Sequence, residues 1–326
     1  MRRFAGSGAF AVLLAAVLWG TTGTAAAFAP GVSGLGIGAA AMGIGGLLQA
    51  AVAAGSLREH RAGLRAHRGT LTMSALAVAI FPLAFYSSMR LAGVAVGTVV
   101  TIGSAPPAAA LIERLMDGTR LSRRWVVGTV IGVAGVIALA LAHPSVSSAA
   151  TGTSLPNGWA HVAGIGLGLL GGGTYALYSW GAARVIRSGV PSRATMGAIF
   201  GAGGLLLMPV LLITGGPILS SGVNLAVASY LAVVPMFLGY VLFGRGLARV
   251  SASTATTLSL AEPAAAALIA VIVLHEHLNA TACVGLLLLF VSLVVTTIPG
   301  TNRTSRGKAV AGRPAPSAAP RPFEPA

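Results

Sequence analysis

The chain has 326 residues, 55% of them apolar and 8% charged, with a mean hydropathy of +0.86. A soluble domain is about a quarter charged, so this composition excludes a water-facing globule and places most of the surface against lipid. The formal charge of +15 would suit nucleic acid in a soluble protein. Here the basic residues stand at the ends of apolar runs and in the tail, with no basic face interleaved with aromatics, which argues against that partner.

The uncharged runs are each near the ~20 residues that cross ~30 Å of hydrocarbon, and they predict about ten transmembrane helices. Met1-Arg2-Arg3 followed by an apolar run and Ala25-Ala26-Ala27 has the outline of a signal peptide. The run 8–28 is longer than the usual ~7–15-residue core of such a peptide, which favours a retained first helix. The next predicted spans are 35–55, 70–89, 94–112 and 125–143, and the second half gives 158–180, 194–214, 223–244, 252–274 and 280–298. The expected organisation is a five-helix unit at 1–145, a linker at 146–157, a second five-helix unit at 158–299 and a tail at 300–326. Arg303, Arg306, Lys308 and Arg313 stand in that tail among Pro, Ala and Ser, too polar to pack, so disorder is expected there.

Orientation follows from Lys and Arg, which are enriched in cytoplasmic loops. With the first connection as phase, 20 of the 21 basic residues fall on one side, and Arg90 alone on the other. That ratio predicts an even number of spans and both termini in the cytoplasm, hence a multi-pass protein of the cytoplasmic membrane.

Sliding the chain against itself by 156 residues aligns Leu91–Ala110 with Leu247–Ala266. Thr98/Thr254, Thr101/Thr257 and Pro107/Pro263 coincide, which shared alanine content does not explain. The same offset sets Trp19 opposite Tyr175, an argument for keeping the first helix, and one residue further Gly128 pairs with Gly285. A repeat of five spans puts the two halves into the membrane from opposite sides, a hallmark of secondary transporters whose site lies near the midplane between the halves.

Trp19-Gly20 in the first span, Arg90-Leu91-Ala92 leading into a proline-containing fourth, and Glu262-Pro263-Ala264 form a wider pattern. Leu274-His275-Glu276-His277-Leu278 and Gly285 complete it. Together, from Phe10 to about Ile298, they resemble the EamA-type branch of the drug/metabolite transporter superfamily. The resemblance implies an all-α integral membrane fold of ten helices in two inverted five-helix repeats. It also implies ATP-independent export or uptake of amino acids, related metabolites or drugs. One departure stands out: a glutamate expected after the fourth helix, matching Glu276, is replaced by Asp117-Gly118-Thr119-Arg120.

Glu262 is the one acid near the middle of a predicted span, where an ionisable group faces the bundle interior or a wet cavity. Two readings stand side by side. Either it couples protons or binds a substrate amine, or it hydrogen-bonds backbone freed by Pro263. Pro82, Pro106, Pro107, Pro209, Pro235 and Pro263 fall inside predicted spans; the repeat-related Pro107 and Pro263 predict kinks beside a central cavity. Trp19, Tyr86, Tyr175, Tyr178 and Tyr240 are candidates to line that cavity, with Thr101 and Thr257 as a symmetric polar pair. Trp125, Trp159 and Trp180, near span ends, read as interface anchors.

Metal and cofactor chemistry find little footing. His275-Glu276-His277 lacks the H-E-x-x-H spacing that sets two ligands on one helix face, and no G-x-x-x-x-G-K loop is present for ATP. The single cysteine, Cys283, excludes an internal disulfide framework or a cysteine metal cluster. A membrane enzyme would need paired acids, a Ser-His pair or a metal cluster at one depth, and of six acids only Glu262 is deep. The expectation is a secondary transporter without cofactor, with the bilayer and a small molecule as partners and proton coupling at Glu262 under its functional reading. It exports amino acids or related metabolites, the alternative being a multidrug or other metabolite carrier. The sequence sets no oligomeric state.

Overall fold

The computed structural model describes residues 2–142, 158–274 and 279–297. The expected linker, the tail and His275-Glu276-His277 lie outside the described residues. Among the described residues the regular structure is helical, and nine helices are long and apolar enough to cross a membrane.

The first half contains α1 (Arg2–Ala27), α2 (Gly34–Val52), the short α3 (Ala54–Glu59) and α4 (Arg61–Ala66), α5 (Arg68–Ala92), α6 (Val94–Asp117) and α7 (Arg123–Ala142). Ser33 starts α2 by accepting from the Gly36 N–H at 3.1 Å. Helices α5 and α6 meet at Gly93, whose φ of 92° turns the chain without a Cβ penalty, and Gly118 (φ 65°) closes α6 in the left-handed conformation. The second half contains α8 (Gly158–Arg187), α9 (Ser192–Thr214), the single turn α10 (Gly216–Leu219) and α11 (Gly222–Leu231). A π-helical stretch, Ala232–Leu238, joins α11 to α12 (Gly239–Leu247), and α13 (Ala252–Leu258), α14 (Ala261–Leu274) and α15 (Ala280–Thr297) follow.

The predicted span 252–274 is interrupted near its middle. Pro263 has no N–H to offer the carbonyl of Ser259, four residues back, and its ring crowds that oxygen. Hydroxyls ahead of it take backbone carbonyls for themselves: Thr256 bonds Ala252 O at 2.9 Å, Thr257 bonds Ser253 O at 2.9 Å, and Ser259 bonds Thr256 O at 2.8 Å. The ladder therefore breaks at Ser259–Leu260, and Ser259 O accepts the Glu262 N–H at 2.9 Å. Pro263 then sits in the first turn of α14, where a missing N–H costs nothing.

The two repeat-related prolines, expected to kink their helices, stand in different local settings. Pro263 begins a helix instead of bending one, and α6 runs unbroken through Pro106 and Pro107. The difference lies upstream: of Thr98, Thr101 and Ser104 before Pro107, only Ser104 bonds a backbone carbonyl among the described residues, that of Thr101 at 3.3 Å, and the Thr101 hydroxyl has no partner. Pro235 produces a third outcome, a π-helical widening inside an otherwise continuous rod.

Packing runs between the halves more than within them. Helix α5 lies on α8, α2 on α9, α7 on α15 and α6 on α8, while α1 lies on α12 and α14. Small residues allow this closeness. A Cβ at Gly46 would overlap the carbonyl oxygen of Phe200, and one at Gly135 would stand 2.9 Å from the carbonyl oxygen of Gly285. Large apolar side chains such as Phe10, Leu212, Ile213 and Phe290 point outward, as lipid-facing residues do.

Candidate functional site

Where the two halves meet, aromatic side chains converge on the break between α13 and α14. Trp19 comes from α1, Phe81, Phe85 and Tyr86 from α5, Tyr175 and Tyr178 from α8, and Tyr240 and Phe243 from α12. Trp19 packs on Tyr240 with ring centroids 4.8 Å apart and meets Tyr175 edge-on at 6.4 Å.

The polar tips of four of these rings are occupied by protein. Trp19 Nε1 donates to the carbonyl of Pro235 at 3.0 Å, an oxygen inside the π-helical stretch. The Tyr175 hydroxyl donates to Ser259 Oγ at 2.8 Å, at the helix break itself. Tyr178 and Tyr240 share a hydroxyl–hydroxyl bond of 2.8 Å.

Above this layer lies a cavity of about 70 Å³, lined among others by Trp19, Thr22, Phe81, Tyr86, Tyr175, Tyr240 and Glu262. Both halves contribute wall residues. Glu262, in the first turn of α14, lines this cavity, and its carboxylate has no hydrogen-bond partner among the described residues. In particular it does not hold the backbone ahead of Pro263, because the Glu262 N–H already takes the Ser259 carbonyl. A second, wider groove of about 620 Å³ opens between α1, α11 and α14, with Phe28, Val223 and Ile269 in its wall and Tyr230 donating to Thr21 Oγ1 at 2.9 Å.

Residues 6–141 and again 150–298 match the EamA-like transporter family. The chain belongs to that family. It is 31% identical over 297 residues to the uncharacterized transporter YwfM of Bacillus subtilis (strain 168), a match covering 90% of this chain and 95% of that one. A solved crystal structure at 20% identity superposes with a TM-score of 0.71 over 89% of this chain and 96% of the other, which shows the fold. This EamA-like chain is thus a multi-pass membrane protein of a transporter family.

Within the EamA-like bundle, three of the sequence candidates stand away from the cavity. Thr101 is fully buried with its hydroxyl unpartnered, against Gly171 at the α6–α8 contact. Thr257 is fully buried too, bonded to Ser253 O and to Thr129 Oγ1 at 3.1 Å. Tyr178 lies behind Tyr240 and does not reach the cavity wall. In each case helix rotation, which spacing along one strand of sequence does not reveal, aims the side chain at a neighbouring helix. Trp19, Tyr86, Tyr175, Tyr240 and Glu262 do line the cavity, beside Thr22, Phe81, Phe85 and Met236, which sequence reasoning missed.

Trp180 also departs from expectation. It is 5% exposed, and its Nε1 donates at 2.8 Å to Asp117, which Arg184 also grips at 2.7 Å. Trp159, at 85% exposure, does point outward. The largest omission is Glu113. Buried at the end of α6, it accepts the Ala252 N–H at 2.7 Å and the Ser253 hydroxyl at 2.6 Å, tying α6 to the start of α13. A signal existed: an acid in the last turn of a helix sits against the negative end of the dipole and needs a partner elsewhere. Among the described residues no group of three or more His, Cys, Asp or Glu is placed to hold a metal.

Proposed function

We propose that this protein is a secondary carrier that exports amino acids or related small metabolites across the cytoplasmic membrane. Both termini lie in the cytoplasm, and no enzymatic step is involved. In this reading α13 and α14 together make the tenth crossing, since end to end they span 252–274, about the length a bilayer requires. The two five-span halves are inverted relative to one another. The packing supports this: exchanging the halves turns the contacts of α1 with α12 and α14 into those of α8 with α5 and α6, and maps the α2–α9 and α7–α15 pairs onto themselves.

The observation that carries the proposal is the cavity between the halves, placed at a discontinuous helix and holding an unpaired carboxylate. At about 70 Å³ it has room for roughly a few waters and none for an open pore. Solute passage therefore needs the halves to rearrange, which is alternating access. Glu262 is the proton-coupling group, alternately loaded with a proton and released from it as the cavity changes sides.

Purified protein in liposomes, offered a metabolite panel with and without a pH gradient, tests this. The expected result is accumulation that depends on the gradient and is lost in Glu262→Gln. Accumulation by the mutant against a substrate gradient removes Glu262 from the coupling role, and absence of flux for every class of small solute removes the carrier assignment.

A further inference from the structure

We infer that the cavity, once the halves part and widen it beyond about 70 Å³, receives a protonated amine carried on an apolar or aromatic body, and that it rejects free carboxylates. The inference rests on the carrier reading above and, within its substrate class, sets free amino acids aside in favour of related metabolites. Among the described residues Glu262 supplies the only charge on the cavity wall, and no Lys, Arg or His lines it. Its carboxylate has no partner among the described residues, so a cation is the group that completes it.

Three of the aromatic residues around it have spent their donors inside the protein, whereas the hydroxyls of Tyr86 and Thr22 on the wall have no partner among the described residues. Trp19 Nε1 is held by Pro235, the Tyr175 hydroxyl by Ser259, and the Tyr240 hydroxyl by Tyr178. What these three show the cavity is ring faces, which attract cations and pack on apolar groups, while the Tyr86 and Thr22 hydroxyls are neutral donors that bring no counter-charge to an anion.

The broken helix points the same way. The N-terminus of a half-helix is the usual place for a substrate carboxylate, because its N–H groups are free and its dipole is positive. Here the Glu262 N–H is taken by Ser259 O, Pro263 has no N–H, and the first turn itself carries an acid. An amino acid entering with its amine toward Glu262 would hold its own carboxylate nearby with no counter-charge. The class that fits is an amine without a free carboxylate: a decarboxylated, esterified or amidated amino-acid derivative, or a small aromatic amine.

The test uses the full chain in lipid nanodiscs and four matched ligands: 2-phenylethylamine, 2-phenylethanol, 3-phenylpropanoate and phenylalanine. Calorimetry at neutral pH should show the amine binding at least about tenfold tighter than each of the others, the scale of one charge-assisted contact. Glu262→Gln should erase that preference and Glu262→Asp should keep part of it, with thermal unfolding confirming that both variants fold. Equal or tighter binding of phenylalanine or phenylpropanoate, no binding of the amine, or a preference that survives in Glu262→Gln overturns the inference. If the glutamine variant does not fold, the wild-type ranking alone decides. Parallel flux measurements in liposomes separate the two readings. Phenylalanine flux with no amine preference sinks this inference and leaves the carrier standing, whereas amine binding with no flux of any ligand keeps the site chemistry and sinks the carrier.

Discussion

At the scale of single residues, the site is held by side chains whose polar atoms answer defects in the backbone. Trp19 illustrates this: the π-helical stretch around Pro235 leaves a carbonyl that the indole N–H caps across 3.0 Å. Trp19→Phe keeps the ring against Tyr240 but removes the indole bond to that carbonyl, a loss of about 0.5–1.5 kcal/mol. A lowered thermal midpoint of the detergent-solubilised protein is the expected reading, and an unchanged midpoint overturns it. Glu113 is the second case. Glu113→Ala removes both the acceptor of the Ala252 N–H and that of the Ser253 hydroxyl, so it should destabilise by more than Ser253→Ala, which removes one of the two bonds. Equal midpoints for the two variants would mean that the buried carboxylate contributes nothing through α13.

Among the elements, three prolines in similar apolar sequence produce a break, an unbroken helix and a π-helical widening. The local surroundings differ: before Pro263 the hydroxyls of Thr256, Thr257 and Ser259 each bond a backbone carbonyl, whereas before Pro107 Ser104 alone does so among the described residues. Helix contacts are equally specific. Gly46→Ala should prevent the approach of α2 to α9, because the new methyl group meets the backbone of Phe200, which cannot swing aside. Gly166→Ala meets nothing within 4 Å and should be neutral. Monodispersity on size exclusion separates the two, with the Gly46 variant expected to aggregate or fail to accumulate. If both variants run alike, small residues are not what brings these helices together.

For the whole molecule, the inverted arrangement makes a prediction about sidedness. In a Cys283→Ser background, a cysteine at the exposed Ser220, between α10 and α11, should react with an impermeant thiol reagent added to intact cells. One at the exposed Arg65 in α4 should react only after permeabilisation. Labelling of Arg65→Cys from outside would reverse the orientation drawn from the basic residues.

The membrane class, the near count of spans and the doubling of the chain were all legible in the residues, because hydrophobic length and repeated positions such as Thr98/Thr254 and Pro107/Pro263 are properties of the chain order alone. The same holds for the prominence of Glu262, since one acid in a long apolar run needs no fold to be noticed. Which tyrosines and threonines face the cavity, that Glu113 locks α6 to α13, and that Trp180 turns inward to Asp117 were decided by tertiary structure. These depend on the rotation of each helix about its axis, and nearly uniform apolar helices carry almost no amphipathic signal to fix that rotation. Contacts from distant helices fix it instead.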